Sequence, residues 1–174
     1  MIIHIQDFRI EFPYQFSQKG QNCFLFLYQS EHFHDFDILD EVRFELEWML
    51  QMQREDGALY HKISCFKFCG FIEPQEEKDQ IVLAPISTTA TADFAGCAAY
   101  AHTFYKKSDP EFAQKLLDAA IKAQNFIDSN PNFIYTNPPE ITTGGYGDRN
   151  IIDEKYFALC SLYAATKDKK YLEK

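Results

Sequence analysis

Three groups of acidic residues have the spacing to supply paired carboxylates. They are Asp37 with Asp40 and Glu41, Asp148 with Asp153 and Glu154, and the charged segment from Glu73 to Asp79. Two carboxyl groups about 5–9.5 Å apart can act as acid and base in glycoside hydrolysis. Each group also has a structural interpretation, because acids stabilise the first turn of a helix and a run of charges is typical of a solvated surface. The spacing alone leaves both interpretations open.

A glycine-rich stretch gives one of these groups a second potential function. Gly144-Gly145-Tyr146-Gly147-Asp148 is followed by Asp153 and Glu154. Adjacent carboxylates after a flexible loop can bind a hard cation such as Ca²⁺, with backbone carbonyl oxygens as further ligands. The spacing does not match an EF-hand loop. Capping of a helix N-terminus is the alternative interpretation of the same two acids.

Histidines are the second type of candidate. His61 lies in Leu59-Tyr60-His61-Lys62, just after a predicted helix exit, where it can bind sugar hydroxyls or serve as a structural residue. His32 and His34 are candidate metal ligands, and His102 in an alanine-rich helix is interpreted as structural. The sequence contains no glycine-rich phosphate loop, nucleophile elbow or His-Glu-x-x-His helix.

The composition limits the classes of protein. The chain has 174 residues and 17 Lys and Arg against 26 Asp and Glu, a net charge of -9. This balance argues against nucleic-acid binding, which depends on neutralisation of phosphates by Lys and Arg. The longest apolar run, residues 24–28, is far shorter than the roughly 20 residues of a membrane helix. The N-terminus lacks the pattern of a secretory signal. The sequence assigns no cellular location.

The cysteines do not form a recognisable framework. Their number is odd and their spacing irregular: Cys23, Cys65, Cys69, Cys97 and Cys160. Cys65 and Cys69 have a weak metal-like spacing, with no second pair to complete a site. We therefore expect free and mostly buried thiols.

The elements that must position these residues are mainly helical. Apolar residues recur at three- and four-residue steps and predict helices over about 37–53, 88–105, 110–128 and 153–165, with a further turn at 171–172. Residues 2–10 alternate loosely and are interpreted as a strand. Residues 58–86 read as a long surface loop with short extended pieces. The helices alternate between short and long connections, which is typical of an α/α toroid with its long loops on one face.

Four strings in register resemble glycoside hydrolase family 9, the inverting endoglucanases and related cellulases. They are residues 37–53 (DILDEVRFELEWMLQMQ), 60–63 (YHKI), 87–95 (STTATADFA) and 143–148 (TGGYGD) with Asp153-Glu154. The resemblance covers residues 37–174 and leaves residues 1–36 as an irregular segment that does not match. It implies an all-α fold, here part of an (α/α)6 barrel, and hydrolysis of β-1,4-glucan.

The resemblance also implies individual roles. His61 corresponds to a histidine that lines the sugar-binding cleft, and Tyr146 lies in the loop that borders it. Asp153 and Glu154 correspond to acids that bind a structural Ca²⁺ in some members, together with loop carbonyls and a carboxylate from further along the chain. Members of the family are often secreted.

The departures from the family pattern concern catalysis. The family's general-base motif, Asp-Ala-Gly-Asp, has no match in residues 1–36, and the general-acid glutamate lies beyond the last residue, so no catalytic residue is assigned. We expect this chain alone to be inactive on cellulose. We also expect apolar helix faces of a partial barrel to cause self-association. The alternatives are a non-catalytic carbohydrate-binding module and a helical protein-interaction module.

Overall fold

The structure, a computed structural model, describes residues 3–4 and 35–174, with side chains from residue 38 onward. Within these residues the chain forms four α-helices and five short strands. The helices are α1 (Asp35–Gln51), α2 (Thr88–Ser108), α3 (Pro110–Ser129) and α4 (Ile152–Thr166). The strands are β1 (Ile3–His4), β2 (Leu59–Tyr60), β3 (Ile63–Cys65), β4 (Ile81–Leu83) and β5 (Ile86–Ser87).

Side-chain caps fix the helix ends near the predicted positions. Ser87 accepts a hydrogen bond from the Ala90 amide at 3.0 Å and starts α2. Asp109 accepts from the Phe112 amide at 3.0 Å and starts α3, with Pro110 in its first turn. Both residues satisfy amides that have no partner inside the helix. The last turn is a short 3-10 helix at Lys169–Tyr171, so the predicted final helical turn lies about two residues too late.

The antiparallel pair α2 and α3 forms the centre of the core, and α4 packs on α2. Phe94, Leu116 and Leu162 are fully or almost fully buried, one from each of these helices. The alanines of α2 are small enough to let α3 and α4 approach closely. The alanine-rich pattern therefore predicted the burial of α2 correctly. His102 accordingly has a structural contact, from Nδ1 to the Ala113 carbonyl at 2.9 Å.

The segment between α1 and α2 contains the short extended pieces that the sequence predicted, but it is not a surface loop throughout, because Val82, Leu83 and Ala84 are buried. β3 pairs antiparallel with β4, which also pairs with β1, and β2 pairs antiparallel with β5. These small sheets lie beside the start of α2. Their role is to hold residues 59–66 against the helical core.

The tight turn between α1 and β2 depends on Gly57. Its φ is +97°, and a Cβ at this position would lie 2.3 Å from the backbone oxygen of Lys122 in α3. The Gln53 side chain donates to the Gly57 carbonyl at 3.2 Å and to the Ala119 carbonyl at 3.0 Å. Glycine is required here because the backbone of the turn lies directly on the backbone of α3.

Some predictions fall outside the described residues. Of the predicted strand at 2–10, the described part, Ile3–His4, is a strand paired with β4. The remaining residues of that strand, together with Cys23 and the candidate metal ligands His32 and His34, lie outside the described part of the chain.

The prediction for the thiols was half right. The four cysteines in the described ranges are free, but Cys69 and Cys160 are exposed and Cys65 and Cys97 are only half-buried. The expectation of mostly buried thiols is therefore wrong for them. Cys69 lies in an exposed loop and Cys160 on the outer side of α4, positions that composition does not reveal.

Several large apolar side chains of the helices remain exposed. A groove of about 450 Å³ runs between α1 and α2 and is lined by Val42, Met49, Tyr100, Phe104 and other carbon-rich side chains. Apolar patches of this kind favour association, so self-association stays a prediction. Among the helices at 35–174, none is both long and apolar enough to cross a membrane.

Candidate functional site

His61 lies at the end of β2, held by contacts on three sides. Its Nδ1 is 2.8 Å from the Ser87 hydroxyl, and its backbone amide donates to the Pro85 carbonyl at 3.0 Å. The ring stacks on Tyr135, with 3.9 Å between centroids and an interplanar angle of 12°. Ser87 is fully buried and also caps α2. The imidazole is therefore fixed in orientation by the same hydroxyl that starts the helix.

The charge state of His61 follows from this environment. Burial lowers the pKa of the imidazole, and the positive charge of Lys62 lowers it further. Hydrogen bonds with the backbone of Gly145 and Tyr146 oppose this shift in the pKa. His61 is consequently neutral at pH 7, and a neutral imidazole can both donate and accept a hydrogen bond.

The loop that contacts His61 is shaped by its glycines. A Cβ on Gly144 would lie 2.8 Å from the Tyr146 ring, and a Cβ on Gly147 would lie 2.8 Å from the Tyr135 carbonyl oxygen. Tyr146 itself has a φ of 51°, in the left-handed region. Its ring is 75% exposed. The glycines therefore let the loop fold back closely and present a tyrosine to solvent.

The structure thus brings His61 and Tyr146, the two predicted sugar-binding residues, into one region. The sequence reasoning missed Tyr135, which is buried and forms the stacking surface for His61. The available signal was an aromatic residue two positions before the turn at Asn137-Pro138. Its hydroxyl donates to the Asn137 side chain at 2.8 Å.

Asp153 and Glu154 lie apart from His61 in sequence, in the first turn of α4. Desolvation raises the pKa of Glu154, and a side-chain hydrogen bond with Asp153 and the charges of Asp153 and Asp93 raise it further. Desolvation also raises the pKa of Asp93, to which the charge of Asp153 adds. Three carboxylates, one from α2 and two from α4, therefore repel one another.

These acids fit a cation in part. Glu154 Oε2 is buried, with no hydrogen-bond partner in the described structure. Carboxylate oxygens are suitable ligands for Ca²⁺, and a cation would offset the repulsion between these acids. Among the side chains described, from residue 38 onward, however, no three acidic, histidine or cysteine residues are arranged to hold a metal ion. The described residues therefore provide two or three carboxylates that repel one another, but not a complete set of ligands for a cation.

The other predicted carboxylate groups have local roles. The Asp148 carboxylate accepts from the Asn150 amide at 2.9 Å, and Glu77 accepts from the Asp79 amide at 2.7 Å. Asp40 and Glu41 are exposed on α1, and the side chain of Asp37 lies outside the described part. Glu77 lies in an exposed charged segment, as the surface interpretation predicted, whereas Asp148 accepts its hydrogen bond in the loop before α4 rather than at the helix start.

Comparison with known proteins identifies the class of this chain. The profile of glycosyl hydrolase family 9 matches residues 9–174, beginning within the segment that the motifs left unassigned. A cellodextrinase of Butyrivibrio fibrisolvens is 38% identical over 136 residues, covering 78% of this chain and 25% of that protein.

Two solved structures extend the comparison to three dimensions. A family 9 glycoside hydrolase of Bacteroides ovatus has a TM-score of 0.74 and 36% identity, covering 79% of this chain and 27% of that one. A Zn-binding triple mutant of the family 9 endoglucanase J30 has a TM-score of 0.73 and 36% identity, covering 78% of this chain and 25% of that one.

The chain therefore belongs to glycosyl hydrolase family 9. Its helices correspond to part of an (α/α)6 barrel. It spans about a quarter of the length of the relatives it matches.

Proposed function

We propose that this chain forms part of the substrate cleft of a β-1,4-glucan hydrolase, with His61 and Tyr146 contacting the sugar. The observation that carries the proposal is the pairing of an exposed tyrosine with a fixed, neutral histidine. An aromatic ring can stack on the apolar face of a glucose unit, while the imidazole hydrogen-bonds a hydroxyl. The name of the Butyrivibrio relative, cellodextrinase, supports short β-1,4-glucans as the ligand class.

Binding is the readout that tests this proposal, because no catalytic carboxylate is assigned in this chain. In a calorimetric titration of the 174-residue chain with cellotetraose, we expect Tyr146→Ala to weaken binding about tenfold through loss of ring contact. Tyr156→Ala is the matched control, since Tyr156 on α4 is 70% exposed, close to the 75% of Tyr146. Equal affinities of the wild type and Tyr146→Ala would contradict the role of Tyr146. Absence of cellotetraose binding by the wild type would contradict the proposal as a whole.

We propose further that Asp153 and Glu154 bind a structural Ca²⁺. The buried, unpartnered Oε2 of Glu154 and the mutual repulsion of the acids support this. Backbone carbonyls and a carboxylate from further along the chain would complete the shell, as the family resemblance implies. Ca²⁺ would then link the start of α4 to neighbouring chain without taking part in the chemistry.

Addition of Ca²⁺ should therefore stabilise the chain. A ligand at one hundred times its Kd raises the free energy of unfolding by about 2.7 kcal/mol. We expect Ca²⁺ to raise the midpoint of thermal unfolding relative to EDTA, and Glu154→Gln to remove that increment. Because Glu154 Oε2 is buried without a hydrogen-bond partner, the amide loses no hydrogen bond at that atom and should cost little in EDTA. The same Ca²⁺ increment in wild type and Glu154→Gln would exclude Glu154 as a ligand.

A further inference from the structure

Lys62 connects two parts of the candidate site that are distant in sequence. Its backbone carbonyl accepts from the Ala84 amide at 3.0 Å, which fixes the residue beside the small sheets. Its ammonium donates to the Gly144 carbonyl and to the Thr143 hydroxyl, the latter at 3.1 Å. The side chain therefore spans from the β2–β3 connection to the loop that carries Tyr146.

The charge of Lys62 sets the direction of a hydrogen-bond chain. An ammonium group only donates, so the Thr143 hydroxyl accepts from it and is free to donate to Ser64 Oγ at 2.5 Å. Ser64 Oγ in turn donates to the Cys65 carbonyl at 3.0 Å. Each hydroxyl thus has a defined donor and acceptor role. The amide and hydroxyl of Thr142 also donate to the Phe66 carbonyl, at 2.7 and 3.1 Å, so Lys62 adds to other contacts between the loop and the residues around β3.

The surroundings of the ammonium are aromatic rather than acidic. Lys62 Nζ lies 5.5 Å from the centre of the Tyr146 ring and 5.9 Å from that of Tyr135, both within cation–π range. Among the ion pairs of residues 38–174, none involves Lys62. Burial lowers the pKa of Lys62, with no neighbouring carboxylate to oppose the shift. An ammonium charge that is partly removed from water costs free energy unless its N–H groups form hydrogen bonds.

We propose that Lys62 is a positioning residue, whose ammonium fastens the 143–146 loop to β3 and orients the ring of Tyr146. Thr143 and Gly144 supply the oxygens that it binds, and the tyrosine ring lies over the same cation. The importance of this for sugar binding rests on the proposed function of Tyr146. The fastening itself is a property of the loop and is measurable without any sugar.

Hydrogen exchange of the full chain tests the fastening directly. Lys62→Met keeps an unbranched side chain of similar bulk but removes the charge and all donors. We expect the Thr142 amide, which donates to the Phe66 carbonyl at 2.7 Å, to exchange about tenfold faster in Lys62→Met than in wild type, because hydrogen bonds to charged groups are among the stronger ones. Lys62→Arg should restore most of the protection, since a guanidinium also donates to a carbonyl and a hydroxyl. Amides of α3 serve as the internal control and should be unchanged.

Two outcomes would overturn the inference. Unchanged exchange of the Thr142 amide in Lys62→Met would show that the ammonium does not hold the loop. Faster exchange in α3 by the same factor would show a general loss of stability instead.

A cellotetraose titration of the same variants separates this inference from the proposed function. If the wild type does not bind but the exchange results are as expected, the fastening stands and only the sugar-binding role fails. If binding is lost in Lys62→Met while the loop stays protected, Lys62 is a sugar ligand and the inference is wrong.

Discussion

Replacement of Gly57 by alanine should lower the free energy of unfolding by about 3 kcal/mol, through backbone strain and a steric clash. The left-handed conformation at φ +97° costs a residue with a Cβ about 1–2 kcal/mol. The added methyl group would also lie 2.3 Å from the Lys122 backbone oxygen. Because that atom belongs to the backbone of a packed helix, it cannot move aside cheaply, and overpacking of this kind costs about 1–3 kcal/mol more.

Urea and thermal unfolding of the 174-residue chain measure this effect. For a chain of this size, 1 kcal/mol shifts the thermal midpoint by about 2–4 °C, so a decrease of about 6–12 °C is expected. Gly70→Ala is the matched control, because a Cβ at Gly70 meets no atom within 4 Å. That variant should unfold within about 0.5 kcal/mol of wild type, as surface substitutions usually do. Coinciding curves for the two variants would show that the turn does not lie on α3 as described.

Gly147→Ala should act on the site with little effect on the helical core. The new Cβ would lie 2.8 Å from the Tyr135 carbonyl, so either the 144–147 loop or the strand-like segment at Tyr135 must shift. Tyr135 stacks on His61, and Tyr146 is the residue directly before Gly147. Displacement of this contact therefore disturbs both proposed sugar-binding residues. We expect a loss of at least about tenfold in cellotetraose affinity, equivalent to about 1.4 kcal/mol.

Gly145→Ala provides the control within the same loop. A Cβ at Gly145 meets no atom within 4 Å, so the substitution adds a methyl group without a clash. Its affinity for cellotetraose should stay close to that of the wild type. Equal losses of cellotetraose affinity in Gly145→Ala and Gly147→Ala would indicate that the loop needs flexibility in general. Wild-type affinity in both variants would mean that the contact with Tyr135 does not shape the site.

Most of the helical part of the fold could be predicted from the sequence, because the signals that start and end a helix are local. Ser87 and Pro110 marked helix starts within a residue of their observed positions, since capping depends on the two or three residues that follow. The first helix begins at Asp35 rather than Asp37 and ends at Gln51, an error of the size expected where helix ends fray. The strands were visible only as extended pieces, because two- and three-residue strands are too short to show a period and their pairing joins distant residues.

The site was less predictable for a related reason. His61 and Tyr146 were found through motifs, whereas Tyr135 and Lys62 act through contacts that no spacing encodes. Lys62 and Gly144 are 82 positions apart, and the stacking of Tyr135 on His61 depends on how the 131–141 segment returns across α2. The repulsion between Asp93 and Asp153 arises in the same way, because it needs α2 and α4 to pack side by side.

The contact between Lys62 and Gly144 also has a consequence for the order of folding. Closing a flexible loop of 82 residues costs about 4 kcal/mol in chain entropy from its length alone. The intervening α2–α3 hairpin is joined at the single residue Asp109 and forms through contacts close in sequence. The hairpin therefore shortens the effective loop before the site closes. The 143–146 segment should join late in folding and open before the α2–α3 hairpin in the native state, so the proposed sugar-contacting loop would be less protected than the helices that carry it.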